Sequence, residues 1–261
     1  MISQVKTKKP KEKVKKQQNK KTKEEPVSLP IVVVLGNEQL AQEYNTLFVE
    51  NDIIVIQEKE LVAKAKKITC AFELTISSNE TKKNNLQRLD KAIPSTVPIV
   101  TCSLTSTVVE QSQWITNKER LIGISAFPTL LANTLIELSP SIHTQKHIAE
   151  HVQDVFFKTK KETTLVQDTV GMVMPRILCQ IINEAMFAIQ QDIALPKEID
   201  EALKLAMHFP LGPIEWGEKI RFQNVVDVLD ALHQSTGEER YRVAPLLRQM
   251  ASAGKFWNNN N

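Results

Sequence analysis

Three pieces of the chain's final third decide its fold: PRILCQIINEA at 175–185, EIDEALKLAMHFPLGPIEWGEKI at 198–220 and GEERYRVAPLLRQMASAGKFW at 237–257. Ile177, Ile181, Ile182, Ala185, Met186 and Ile189 recur at three- and four-residue intervals, the spacing of one helix face. Leu203, Leu205, Ala206 and Phe209 form a second apolar set. Val225, Val228, Leu229 and Leu232 form a third. Core packing is the expectation for most of these residues. Pro210, Leu211, Gly212 and Pro213 cannot continue a helix and mark a tight turn. The region therefore reads as all-α.

The half before it reads differently. Leu29–Leu35 (LPIVVVL) is a short β-branched run suited to a buried parallel strand. It ends in Gly36, passes into an expected helix over Asn37–Phe48, and returns as a strand over Ile53–Ile56. This strand-helix-strand order opens a dinucleotide-binding fold. Further strands are expected at Ile68–Leu74, Val97–Cys102 and Leu121–Ile124. The fold class is an α/β, Rossmann-like doubly wound sheet followed by an all-α domain. The expected divisions are a Lys-rich tail over 1–28, the sheet domain over 29–165 and the helical domain over 166–257.

Charge is unevenly spread. Residues 1–25 hold ten Lys and three Glu, about +7. The whole chain carries +3, so the rest carries about −4. The tail has too few apolar residues to bury and is expected to be disordered. It suits solubilisation or weak electrostatic contact with an anionic surface, and it lacks the interleaved aromatics that would stack on bases. No apolar stretch follows it to make a secretory signal, and none is long enough for a membrane span. Cys70, Cys102 and Cys179 are odd in number and unpatterned, which suits unpaired thiols in a cytoplasm and no metal. His143, His147 and His151 are spaced to share a helix face, and a solvated face explains them better than a metal site.

Five motifs in the helical part occur in order. They are Arg176-Ile177-Leu178, Asn183-Glu184-Ala185, the helix from Ile199 to Leu205, the Pro210–Pro213 turn with Glu215 after it, and Gly237–Leu247 with its Arg-Tyr-Arg and Pro-Leu-Leu. In this order and spacing the chain resembles the C-terminal domain of the NAD-dependent 3-hydroxyacyl-CoA dehydrogenases, the group that includes the 3-hydroxybutyryl-CoA enzymes of fatty-acid metabolism. The resemblance implies NAD as cofactor, an acyl-CoA substrate and a homodimer formed through the helical domain.

The same resemblance exposes departures. The dinucleotide fingerprint wants three glycines, for a tight turn, for close approach of backbone to pyrophosphate and for helix packing. Gly36 supplies the first; the others fall on Glu38 and Ala41. Glu38 sets a carboxylate at the helix N-terminus, where an anionic ligand would sit. The ribose-binding acid would be Glu58, allowing a one-residue gap. Tight NAD binding is therefore not expected.

The family writes Gly-x-His-Phe-Phe-Asn-Pro with a Glu twelve residues after the His. Gly123 and Glu137 hold that register, and the catalytic His becomes Ser125, with Pro128 in place of the Asn. The Asn expected before Arg176 is Pro175. The family's Asn-Thr-Ser maps, allowing one gap, onto Ser103, Leu104 and Thr105, so Thr105 could preserve a hydroxyl. After the Pro-x-Gly-Pro turn, the family's Gly-Leu-Asp is replaced by Arg221, Phe222 and Gln223. The family's C-terminal segment is likewise rewritten after Gly254.

Oxidising a 3-hydroxyl needs a base that titrates near neutrality. Serine cannot serve, and Pro175 has neither an amide side chain nor a backbone N–H. Losing a base costs roughly 10²–10⁴-fold. The expectation is a pseudoenzyme that keeps the fold, the dimer and acyl-CoA affinity, with Glu137 an orphan carboxylate. The alternatives are an active dehydrogenase using Glu137 or Thr105, and a structural protein tethered by its basic tail.

Overall fold

A computed structural model describes residues 29–77, 79–255 and 257. The Lys-rich tail expected over 1–28 lies outside these residues.

The first layer is a seven-stranded sheet. Strands β1 (Ile31–Gly36), β2 (Ile54–Ile56), β3 (Cys70–Leu74), β4 (Ile99–Cys102), β5 (Leu121–Ile124), β6 (Leu135–Pro140) and β7 (Glu162–Leu165) lie in the order β2-β1-β3-β4-β5-β6-β7. The pairs from β2 through β5 are all parallel; β6 runs antiparallel to β5, and β7 parallel to β6. The chain leaves β1 for β2 on one side and then crosses to β3 on the other. That reversal creates a crevice at the carboxyl ends of β1 and β3, where open α/β sheets bind ligands.

Helices cover the sheet and continue beyond it. They are α1 (Glu38–Glu50), α2 (Leu61–Lys64), α3 (Asn79–Ala92), α4 (Val108–Ser112), α5 (Lys146–Lys158), α6 (Met174–Gln190), α7 (Pro196–Met207), α8 (Pro213–Ile220), α9 (Phe222–Thr236) and α10 (Pro245–Ala253). The larger apolar core runs without a break from Val32, Phe72 and Ile122 in the sheet into Leu178, Val225 and Leu247 in the bundle. A second core on the opposite sheet face gathers Val33, Leu86, Leu89 and Ile99. None of the described helices is long and apolar enough to cross a membrane.

Several local expectations need correction. Ile177 and Leu205, read as core residues, are 54% and 79% exposed, and Ala206 is exposed as well. In α7 the only buried residue is Asp200, because this helix lies at the margin of the bundle against α8. The Val225 set is buried as its spacing predicts. The histidine stripe is broken: α5 begins at Lys146, so His143 sits in the turn before it. Among the described residues no cluster of His, Cys, Asp and Glu could hold a metal ion.

Candidate functional site

The crevice begins at Gly36, the last residue of β1. Its φ of +117° is a glycine conformation, and a Cβ there would fall 2.5 Å from the Thr75 backbone nitrogen. Glycine is thus demanded by the chain's own packing against the end of β3. Asn37 follows as the cap of α1, its side chain accepting the Leu40 N–H at 3.1 Å. Glu38, the first residue of that helix, is exposed, while Ala41 packs partly buried against the core. Glu58 lies two residues beyond β2 and pairs with Arg88 at 2.7 Å, both half exposed.

At the end of β4 every residue that stands for the Asn-Thr-Ser motif is engaged within the protein. Ser103 Oγ donates to the Ser106 carbonyl at 2.9 Å. Leu104 is fully buried, and its carbonyl accepts the Gly171 N–H at 2.9 Å. Thr105 Oγ1 donates to the Ile76 carbonyl at 2.8 Å.

Ser125 follows β5 directly, and its N–H donates to the Glu137 carbonyl at 3.2 Å across the antiparallel ladder. The two residues therefore face each other across the ladder. Glu137 is not an orphan. Its Oε1 accepts the Met174 N–H at 2.8 Å and its Oε2 the Val173 N–H at 3.0 Å. Both donors open α6, so the carboxylate caps that helix and offsets its positive end. Pro175 occupies the first turn of the same helix, where a missing N–H costs nothing and a fixed φ helps. Ser125, Glu137, Met174 and Tyr44 line a cavity of about 330 Å³. The Ser125 hydroxyl makes no hydrogen bond among the described residues.

Two acidic groups here escaped sequence reasoning. Glu73, next to last in β3, is fully buried and takes the Lys82 ammonium at 2.9 Å, the Asn85 amide at 3.2 Å and the Thr75 N–H at 3.1 Å. Lys82 also donates to the Cys102 carbonyl at 2.8 Å, tying β3, α3 and β4 together below the crevice. The signal was a Glu inside the apolar run CAFEL. Asp168 caps α4 through the N–H groups of Val108 and Val109 at 2.7 and 2.9 Å. Burial pushes its carboxyl above the ordinary range, against the pull of those two bonds. It sits in a loop with no sequence mark of its target.

Comparisons with known proteins agree with this layout. The family described as 3-hydroxyacyl-CoA dehydrogenase, C-terminal domain, matches residues 171–261. A probable 3-hydroxybutyryl-CoA dehydrogenase of Bacillus subtilis is 27% identical over 200 residues, spanning 76% of this chain and 69% of the relative. A 3-hydroxybutyryl-CoA dehydrogenase of Bradyrhizobium diazoefficiens is 25% identical over 70% of this chain and 62% of its own length. Among solved structures, an (S)-3-hydroxybutyryl-CoA dehydrogenase from Ralstonia eutropha superposes with a TM-score of 0.72 at 21% identity, covering 88% of this chain and 95% of that one. FadB2 of M. tuberculosis gives 0.78 at 15% identity, covering 87% and 94%.

Proposed function

The chain belongs to the 3-hydroxyacyl-CoA dehydrogenase family, and from that premise we propose that it has lost, or kept only a trace of, the family's redox chemistry while retaining the fold as a binding protein. One observation carries this reading: the carboxylate that would assist a catalytic base is committed to the N-terminus of α6, and the residue facing it is Ser125. A hydroxyl does not take up a proton at neutral pH, and both oxygens of Glu137 already accept N–H bonds that hold α6, which ties the carboxylate to a structural task.

The residues at the dinucleotide crevice support the same conclusion. Asn37 already occupies one of the helix N–H groups that a pyrophosphate would use, and Glu38 adds a negative charge beside the others. Glu58 is held by Arg88. These residues do not fit NAD well. The Thr105 hydroxyl, engaged with Ile76, is a poor substrate contact.

What remains suited to function is the acyl-CoA and the dimer. The cavity beside Ser125 could receive the thioester end of a short acyl-CoA. The exposed apolar residues Ile177 of α6, Leu195 at the cap of α7, and Leu205 and Met207 of α7 suit a homodimer formed through the helical domain. Isothermal titration with NADH and, separately, with acetoacetyl-CoA tests the reading. Binding of the thioester without NADH is the expected result. Micromolar NADH affinity, with NADH formed from 3-hydroxybutyryl-CoA, would overturn it in favour of an active dehydrogenase.

A further inference from the structure

Arg221 joins α8 to α9 with φ +74° and ψ +125°. Residues with a Cβ rarely adopt such a backbone, and an outlier of this kind points to function when the fold does not require the side chain. Here the fold requires only the backbone. The Arg221 N–H donates to the Glu218 carbonyl at 3.2 Å, and its own carbonyl accepts the Asn224 N–H at 2.9 Å. Glycine, the residue at this position in the pattern the chain resembles, would make both bonds with less strain.

The arginine side chain is exposed and has no hydrogen bond or ion pair among the described residues. It lines a cavity of about 540 Å³ closed by Gln39 of α1, the α8–α9 turn and the end of α10. Lys219 and Lys255 line the same cavity, and neither has an ion pair among the described residues. Buried Phe222 and half-buried Met250 and Ala251 supply apolar wall. The single carboxylate in the lining is Glu218, one oxygen of which accepts the Trp257 N–H. Three cations against one anion leave a net +2 around one cavity.

We propose that this cavity binds a phosphate monoester carrying an apolar substituent. A monoester near pH 7 carries a charge close to −2, since its second pKa is about 6, which matches the lining better than a monocarboxylate does. The guanidinium fork suits phosphate oxygens, with the two ammoniums as additional point charges. The substituent would lie on Met250 and Ala251. The site is separate from the cavity beside Ser125, and the proposal does not rest on the loss of redox chemistry.

The test is calorimetric titration of the full chain with phenyl phosphate, benzoate and phenol at low salt, on the wild type, Lys219→Ala and Arg221→Gly. The expected result is saturable phenyl phosphate binding, about tenfold weaker for benzoate and absent for phenol. Lys219→Ala should weaken binding, and Arg221→Gly should weaken it at least about tenfold while raising Tm by about 2–4 °C as backbone strain is relieved. Equal phenyl phosphate binding by the wild type and Arg221→Gly would overturn the proposal, as would no binding at all. A fall in Tm for Arg221→Gly would also overturn it, because the arginine would then serve the fold.

Discussion

The carboxylate of Glu137 accepts the backbone N–H of Met174 at 2.8 Å, so a residue at the middle of β6 holds the first turn of α6 in place. The contact joins the sheet to the helical bundle through two N–H groups that would otherwise lack partners. Glu137→Ala should therefore lower unfolding stability by about 2 kcal/mol, the upper range for loss of a helix cap. Glu137→Gln, which keeps one acceptor oxygen, should lose about half as much. Urea unfolding of the two variants measures this. Equal stability of wild type and Glu137→Ala would return Glu137 to the candidates for chemistry.

Glu73 and Lys82 are both fully buried, and each depends on the other for charge compensation. Removing one partner leaves a bare charge in the interior. Lys82→Met should cost about 3–5 kcal/mol, whereas Glu73→Gln with Lys82→Met together should recover most of that loss. A double-mutant cycle by chemical denaturation decides the matter. Additive losses would show that the pair is not coupled.

Asp90 gives stability a pH dependence of known sign. Burial alone pushes its carboxyl up, but the Arg120 guanidinium at 2.7 Å, the Asn117 amide and the Thr116 N–H outweigh that and hold it below the ordinary carboxylate range. A depressed folded pKa gives stability that is present above the unfolded value of about 3.9 and is lost as pH falls through the folded value. Asp90→Asn should cost about 3 kcal/mol at pH 7. Its stability curve should approach that of the wild type as the pH falls below the unfolded value and through the lower folded one. A constant difference across the acid range would assign the effect to packing instead.

The parts of this architecture legible in sequence are those where side-chain chemistry and burial coincide. Leu121–Ile124 forms a strand with the bounds its apolar run predicts, since all four residues are buried. The polar β7, ETTL, pairs only with β6 at the sheet edge, half exposed, and its composition gave no strand pattern to read. Strand β6 was hidden by Glu137 inside it and Pro140 at its end. At the candidate site, the register placing Ser125 and Glu137 together came from sequence. The partners of Glu137 could not, because they are backbone N–H groups with no side-chain signature, more than thirty residues away. Asp168 and Asp200 are of the same kind. Each carboxylate caps a distant helix, α4 and α8 respectively, and a lone Asp in a sequence does not name its helix.

Leu205 tests the proposed dimer without disturbing the fold. The helix carrying it lies at the margin of the bundle, and its cap residue Leu195 and last residue Met207 are also more than half exposed. A like copy of the chain is the occupant that the family resemblance implies for this margin of the bundle. Leu205 is 79% exposed, so replacing it with a charged residue should leave the monomer's stability within about 0.5 kcal/mol. In a dimer the same change would bury a carboxylate against apolar surface, a cost of several kcal/mol that the interface would not absorb. Leu205→Glu should thus convert a dimer to a monomer with unchanged circular dichroism. Sedimentation equilibrium of the two proteins at equal concentration reads this directly, and a Leu205→Glu protein as dimeric as the wild type would place the interface on another surface.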